Sequence, residues 1–216
     1  MKPEDRKKPH RATSEIPIIL DERFYRDLEQ TILKVQWPYK SVYKDIFVMR
    51  DRALVAFLIA TGLRISEALA VKIEQFRDYP KKLVLFNVPT LKNGKVRKEI
   101  WITKQGSMEE TTKFFINWYT LLKQNNQASY MFPSGCANGL VWKNHLSSSR
   151  AHWIIKTTTD LFPHWFRAVC ETYMAKEIFD NDAYKLCGYM GLKRLDSTLP
   201  YVQAPYEKDL NRLYIR

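Results

Sequence analysis

The segment Thr61-Gly62-Leu63-Arg64-Ile65-Ser66-Glu67 sets a guanidinium between two apolar stretches, with a carboxylate three residues on. A half-buried arginine requires an anion. Glu67 can be that anion, or it can orient Arg64 toward a phosphate. His164-Trp165-Phe166-Arg167 places an imidazole and a second guanidinium at i and i+3, on one helical face directly after Pro163. Trp165 and Phe166 are expected to point into the core and to turn His164 and Arg167 outward, as a surface pair or as donors to an anion. Tyr201 is one of 12 tyrosines and follows Gly191-Leu-Lys-Arg-Leu-Asp-Ser-Thr-Leu-Pro200. By itself it reads as an amphipathic packing residue. Between residues 81 and 104 lie seven basic residues (81, 82, 92, 95, 97, 98 and 104) and one acid, Glu99. A solvated face mixes signs more evenly, so this stretch reads as a phosphate-contacting ribbon.

These residues need rigid elements to hold them. Ala53 to Ala60 is apolar on every side, the mark of a helix buried in a core. Gly62 is placed to stop it in a left-handed cap, and a second helix begins near Ile65, so Arg64 sits in a tight helix–helix turn. Lys82–Val88 and Arg97–Thr103 read as two strands, and Asn93-Gly94 between them is a hairpin turn signal. A helix from about Pro17 presents Phe24, Leu28 and Leu33, with Pro38 at or past its end. Further helices are expected over residues 108–123, 144–158, 164–179 and 182–187, with Met131-Phe-Pro-Ser-Gly135 as a loop. A short helix with Leu210, Leu213 and Tyr214 is expected near the end.

Composition narrows the class of partner. Of 216 residues, 35 are Lys or Arg and 23 Asp or Glu, a net charge of +12. So basic a chain points to a polyanion, nucleic acid first. Seven glycines are too few for a β-rich fold of many tight turns. Three scattered cysteines (Cys136, Cys170, Cys187) suit neither a disulfide framework nor a zinc site. No apolar run is long enough to span a bilayer or to serve as a signal peptide, so the expectation is an intracellular, DNA-associated protein in the cytoplasm. Residues 1–15 read as a basic leader, a solvated arm or one that touches phosphate.

In order along the chain, four blocks resemble the tyrosine recombinase, or phage integrase, family. Ala60-Thr-Gly-Leu-Arg-Ile-Ser-Glu-Ala-Leu69 is similar to the first-arginine box, with Arg64 in the catalytic place and Glu67 supporting it. Leu91-Lys-Asn-Gly-Lys-Val-Arg-Lys98 resembles the hairpin lysine segment, with Lys92 as the lysine. Pro163-His-Trp-Phe-Arg167 matches the His-x-x-Arg box, in a wording like that of archaeal integrases. Met190 to Val202 fits the closing box without a gap and ends on Tyr201. Tyr130-Met-Phe-Pro-Ser134 resembles a family spacer segment.

The resemblance implies an α+β fold, a mainly helical catalytic domain with a small antiparallel sheet over residues 16–205. Residues 206–216 would then be a tail offered to a neighbouring protomer. It implies site-specific cleavage and rejoining of double-stranded DNA through a 3′-phosphotyrosyl link at Tyr201, by a homo-tetramer on two duplexes, with no metal and no cofactor. A phenol of pKa about 10 must lose its proton as it attacks, and nearby cations favour the phenolate. Arg64 and Arg167 would clamp the non-bridging oxygens. His164 would exchange the nucleophile's proton or bind a phosphate oxygen, and Lys92 would protonate the departing 5′ oxygen. Lys95, Arg97 and Lys98 would contact the DNA backbone. A type IB-like topoisomerase, or a catalytically weak DNA-binding relative, would carry much the same residues. Two features depart from the family. The gap-free match puts Leu192 where a histidine or tryptophan is usual, whereas a shifted match puts Tyr189 there. The roughly 50 residues before the first box also cannot hold the family's separate DNA-clamping domain together with the catalytic domain's first helix, so the expectation is a short stand-alone member or a catalytic fragment.

Overall fold

The computed structural model describes residues 20–36, 41–90, 94, 96–125, 127–159 and 161–202. Helix α1 (Glu22–Leu33) starts where the Asp21 carboxylate accepts the Phe24 N–H at 2.8 Å, and it buries Leu28 and Ile32. The expected earlier start at Pro17, and Pro38 at the far end, lie outside the described residues. Helix α2 (Lys44–Thr61) is the centre of the molecule. Every residue from Ala53 to Thr61 is buried, because α1, α4 (Glu109–Gln124) and α6 (Pro163–Tyr173) surround it. Helix α3 (Ile65–Leu69) follows after a three-residue turn.

Strands β1 (Phe76–Asp78), β2 (Lys82–Pro89) and β3 (Val96–Thr103) form an antiparallel sheet in that order, with Val84 opposite Trp101. Leu83, Leu85, Ile100 and Ile102 face the core. At Asn87 the backbone enters the left-handed region (φ +54), and beyond it the buried positions change over to Val88 and its partner Arg97. A strand of unbroken pleat keeps one face throughout.

A second hairpin corrects the expected loop and the helix start at 144. Strands β4 (Pro133–Cys136) and β5 (Gly139–His145) pair there, and α5 (Ser148–Thr159) begins only after them. The buried Arg50 guanidinium pins this hairpin to α2, donating to the Pro133 carbonyl at 3.0 Å while pairing with Asp51 at 2.7 Å. Helix α6 continues into a π-helical turn (Met174–Ile178), and α7 (Ala183–Tyr189) is capped by Asp182. Among the described residues, no helix is long and apolar enough to cross a membrane.

Candidate active site

The C-terminal end of α2 is the socket on which the site is built. The last carbonyls of any helix lack partners within it and carry partial negative charge. Here two arginines from distant elements take them. Arg97 of β3 donates from Nη1 to the Thr61 carbonyl at 3.0 Å, and Arg167 of α6 donates from Nη1 to the Gly62 carbonyl at 2.9 Å. Gly62 itself sits at φ +60, and a Cβ there would come within 2.9 Å of Met190 Cε and 3.1 Å of Cys170 Cβ. Both the turn and the packing therefore require glycine.

Two residues beyond this socket, Arg64 opens α3. The buried Glu67 carboxylate accepts the Arg64 backbone N–H at 3.0 Å and its Nη1 at 2.9 Å. The Arg64 side chain remains 38% exposed, so its guanidinium is held at the root and open at the far edge. Both readings of Glu67 meet in one geometry: it is the partner of Arg64 and also its orienting group.

On α6, His164 is exposed in the first turn, one turn before Arg167. Arg167 corrects the expectation that this pair faces outward: it is buried at 7% exposure, because Gly62 and Glu171 draw its guanidinium inward. Its Nε pairs with the Glu171 carboxylate at 2.9 Å. Its Nη2 is buried and finds no acceptor among the described residues. A buried charged donor left unsatisfied is costly, so the arrangement calls for an anion at that atom.

Tyr201 reaches the same cluster from the C-terminal side. Buried Thr198 anchors its segment, donating to the Leu195 carbonyl at 2.6 Å and accepting the Tyr201 N–H through its own carbonyl at 3.0 Å. Residues 199–202 are helical, and the half-buried Tyr201 shares a side-chain hydrogen bond with Glu171. Burial pushes the Glu171 carboxyl above the usual carboxylate range, while Arg167 and the Tyr201 hydrogen bond act the other way. Glu171 thus joins the second arginine to the tyrosine, and the sequence reading did not single it out. The signal available was an acid four residues after Arg167 on an otherwise apolar helix.

Tyr189 and Leu192 occupy different settings. The Tyr189 hydroxyl accepts the Trp101 backbone N–H of β3 at 2.9 Å, and its ring lies under the Arg97 guanidinium at 5.0 Å. Burial raises the Tyr189 phenol above its ordinary range. That side chain is committed to the sheet. Leu192 follows Gly191 (φ +65), is half-buried against the core, and ties back through its N–H to the Cys187 carbonyl at 3.0 Å.

The hairpin reading needs one correction. Arg97 is 3% exposed, and its guanidinium is used up inside the protein: Nη1 on Thr61, Nε on the Tyr189 carbonyl at 3.0 Å, and Nη2 against Met190 Sδ at 3.7 Å. It braces the site and is not offered to an external backbone. Lys98 is exposed, and Lys92 and Lys95 lie outside the described residues.

Arg167, with its unsatisfied Nη2, is held by the Gly62 carbonyl two residues from the half-exposed Arg64, and Glu171 links it to the Tyr201 phenol, a grouping suited to an anion. The profile of the phage integrase family matches residues 38–208. The fold is similar to that of XerH site-specific recombinase bound to a palindromic difH substrate in a post-cleavage complex (TM-score 0.62, 16% identity, covering 92% of this chain and 53% of that one). It is also similar to XerA recombinase (TM-score 0.61, 18% identity, 93% of this chain and 66% of that one) and to Tn1549 transposon integrase with circular intermediate DNA (TM-score 0.51, 16% identity, 97% and 69%). The chain thus spans about half the length of the XerH chain it matches. No curated protein sequence matches it. With four ordered sequence blocks, a family match over most of its length and the recombinase catalytic fold beneath them, this chain belongs to the phage integrase family of tyrosine recombinases.

Proposed function

We propose that the protein cuts and rejoins double-stranded DNA at specific sites through a covalent 3′-phosphotyrosyl intermediate at Tyr201. The observation that carries this reading is the buried Arg167 Nη2, which has no acceptor among the described residues. Gly62, whose carbonyl holds the same guanidinium, is two residues from the half-open Arg64. A scissile phosphate bridging Arg167 and Arg64 satisfies that atom and neutralises the charge that builds on the equatorial oxygens during attack. Tyr201 forms the new bond to phosphorus, and the bond to the 5′ oxygen breaks. Lys92 supplies the proton that the leaving oxygen needs, and His164 serves a phosphate oxygen or the nucleophile's proton. The phosphotyrosyl link conserves the bond energy, so the 5′ hydroxyl of another strand attacks back without an external energy source.

The basic hairpin, with Lys98 exposed on it, supplies backbone contacts, and the working unit is a homo-tetramer joining two duplexes. Trapping on a nicked duplex tests the chemistry. When cleavage lets a short strand diffuse away, the parent accumulates a covalent protein–DNA adduct. Tyr201→Phe binds the same DNA with equal affinity and accumulates none. An adduct formed by the phenylalanine variant assigns the nucleophile elsewhere.

A further inference from the structure

We infer that Glu171 is a catalytic residue of this site: its carboxylate aims the Tyr201 hydroxyl at the phosphate and accepts the hydroxyl proton as the tyrosine attacks. The inference rests on the phosphotyrosyl reading above and assigns the proton that this reading leaves between candidates.

The geometry is a relay of three side chains from one helix and the C-terminal segment. Arg167 Nε holds one Glu171 oxygen at 2.9 Å, and the carboxylate also takes the Tyr201 side-chain hydrogen bond. Glu171 is 3% exposed, so its remaining capacity is not spent on bulk water. The Arg167 guanidinium that binds this carboxylate through Nε is the one whose Nη2 is orphaned and buried. A phosphate taken by Nη2 is therefore held by the same rigid plane that fixes the carboxylate, and the carboxylate fixes the nucleophile. Attack distance follows from two hydrogen bonds on one guanidinium instead of from free tyrosine rotamers.

A lone pair on Tyr201 Oη forms the O–P bond while its proton passes to the Glu171 carboxylate. The P–O5′ bond breaks with its electrons on the 5′ oxygen, which takes a proton from the general acid. In rejoining, the neutral Glu171 returns its proton to the departing phenolate. His164, exposed at the start of the helix, is left to the phosphate oxygens.

The groups facing Glu171 are Arg167 and Cys170 of its own helix, Arg97 from β3 and Tyr201. Burial raises its pKa, which makes it a stronger base than a surface glutamate, while the three cationic or donor partners favour the ionised form. Cleavage should accordingly fade as the pH drops toward mild acidity, because a protonated Glu171 accepts nothing.

The test follows adduct formation on a nicked duplex across pH for the parent, Glu171→Gln, Glu171→Asp and Tyr201→Phe, with DNA affinity and thermal melting alongside. Glu171→Gln keeps an acceptor oxygen for Arg167 but loses the base. It should bind DNA like the parent, form adduct at least tenfold more slowly, and lose the acid-side fall-off. Glu171→Asp should also be slow yet keep that fall-off, which covers the case in which the glutamine variant melts early. The inference is overturned if Glu171→Gln, melting with the parent, forms adduct at the parent rate or faster, or if Glu171→Asp matches the parent. If the parent makes an adduct that Tyr201→Phe abolishes and Glu171→Gln does not slow, only this assignment fails. If the parent makes no adduct at all, the phosphotyrosyl reading fails with it.

Discussion

Arg64 and Arg167 differ in how much of their setting a sequence can carry. For Arg64 the anion sits three residues away and the glycine turn two, so local spacing suffices to place it. Arg167 takes its setting from a carbonyl 105 residues earlier in the chain, and no window of sequence holds that contact. Glu171 was hidden for the same reason: its link to Arg167 is one helical turn, but its link to Tyr201 spans a π-helical turn and α7. The departure at residue 192 belongs to this scale. A histidine or tryptophan there adds a donor to a developing charge, a contact worth on the order of 3 kcal/mol. Leu192→His should therefore speed adduct formation by up to about a hundredfold. Tyr189→Phe should leave the rate alone and lower stability by about 1 kcal/mol, because the Trp101 N–H loses its acceptor. The opposite pattern, a slowed Tyr189→Phe and an unimproved Leu192→His, assigns the position to Tyr189.

Among the elements, the central helix and the basic hairpin were legible because their signals are local: an apolar run closed by glycine, and two β-rich runs around Asn-Gly. The inward turn of Arg97 was not legible, since it follows from the left-handed backbone at Asn87, which asparagine tolerates but does not announce. The small β4–β5 hairpin escaped for want of length, as four residues of β4 include Pro133 and Gly135. Neighbouring basic residues of the hairpin now have opposite expected behaviour. Arg97→Met strips donors from the Thr61 and Tyr189 carbonyls and should cost on the order of 2–4 kcal/mol in a urea melt. Lys95→Ala with Lys98→Ala should leave the melt unchanged and flatten the plot of log affinity against log salt by roughly two contacts, each about 0.9. A melt unmoved by Arg97→Met contradicts the bracing role, and an unchanged slope in the lysine variant makes the hairpin a solvated face.

Taken whole, the molecule anchors Arg97 and Arg167 on the last carbonyls of one buried helix, with Arg64 two residues on and Tyr201 joined to Arg167 through Glu171, so that α2 is both core and scaffold for the candidate site. That convergence brings residues from blocks scattered over residues 60–202 together in space. The net charge of +12 suits a polyanionic partner at the same scale, since such a charge favours a polyanion before any specific contact forms. The most direct test of the central claim is to locate the DNA on the protein. After reaction with a nicked duplex and nuclease trimming, tryptic digestion releases residues 195–208, a peptide that carries both Tyr201 and Tyr206, and fragment-ion mass spectrometry tells them apart. The account predicts a nucleotide joined by its 3′-phosphate to Tyr201. A nucleotide on Tyr206, or one attached through a 5′-phosphate, would contradict it.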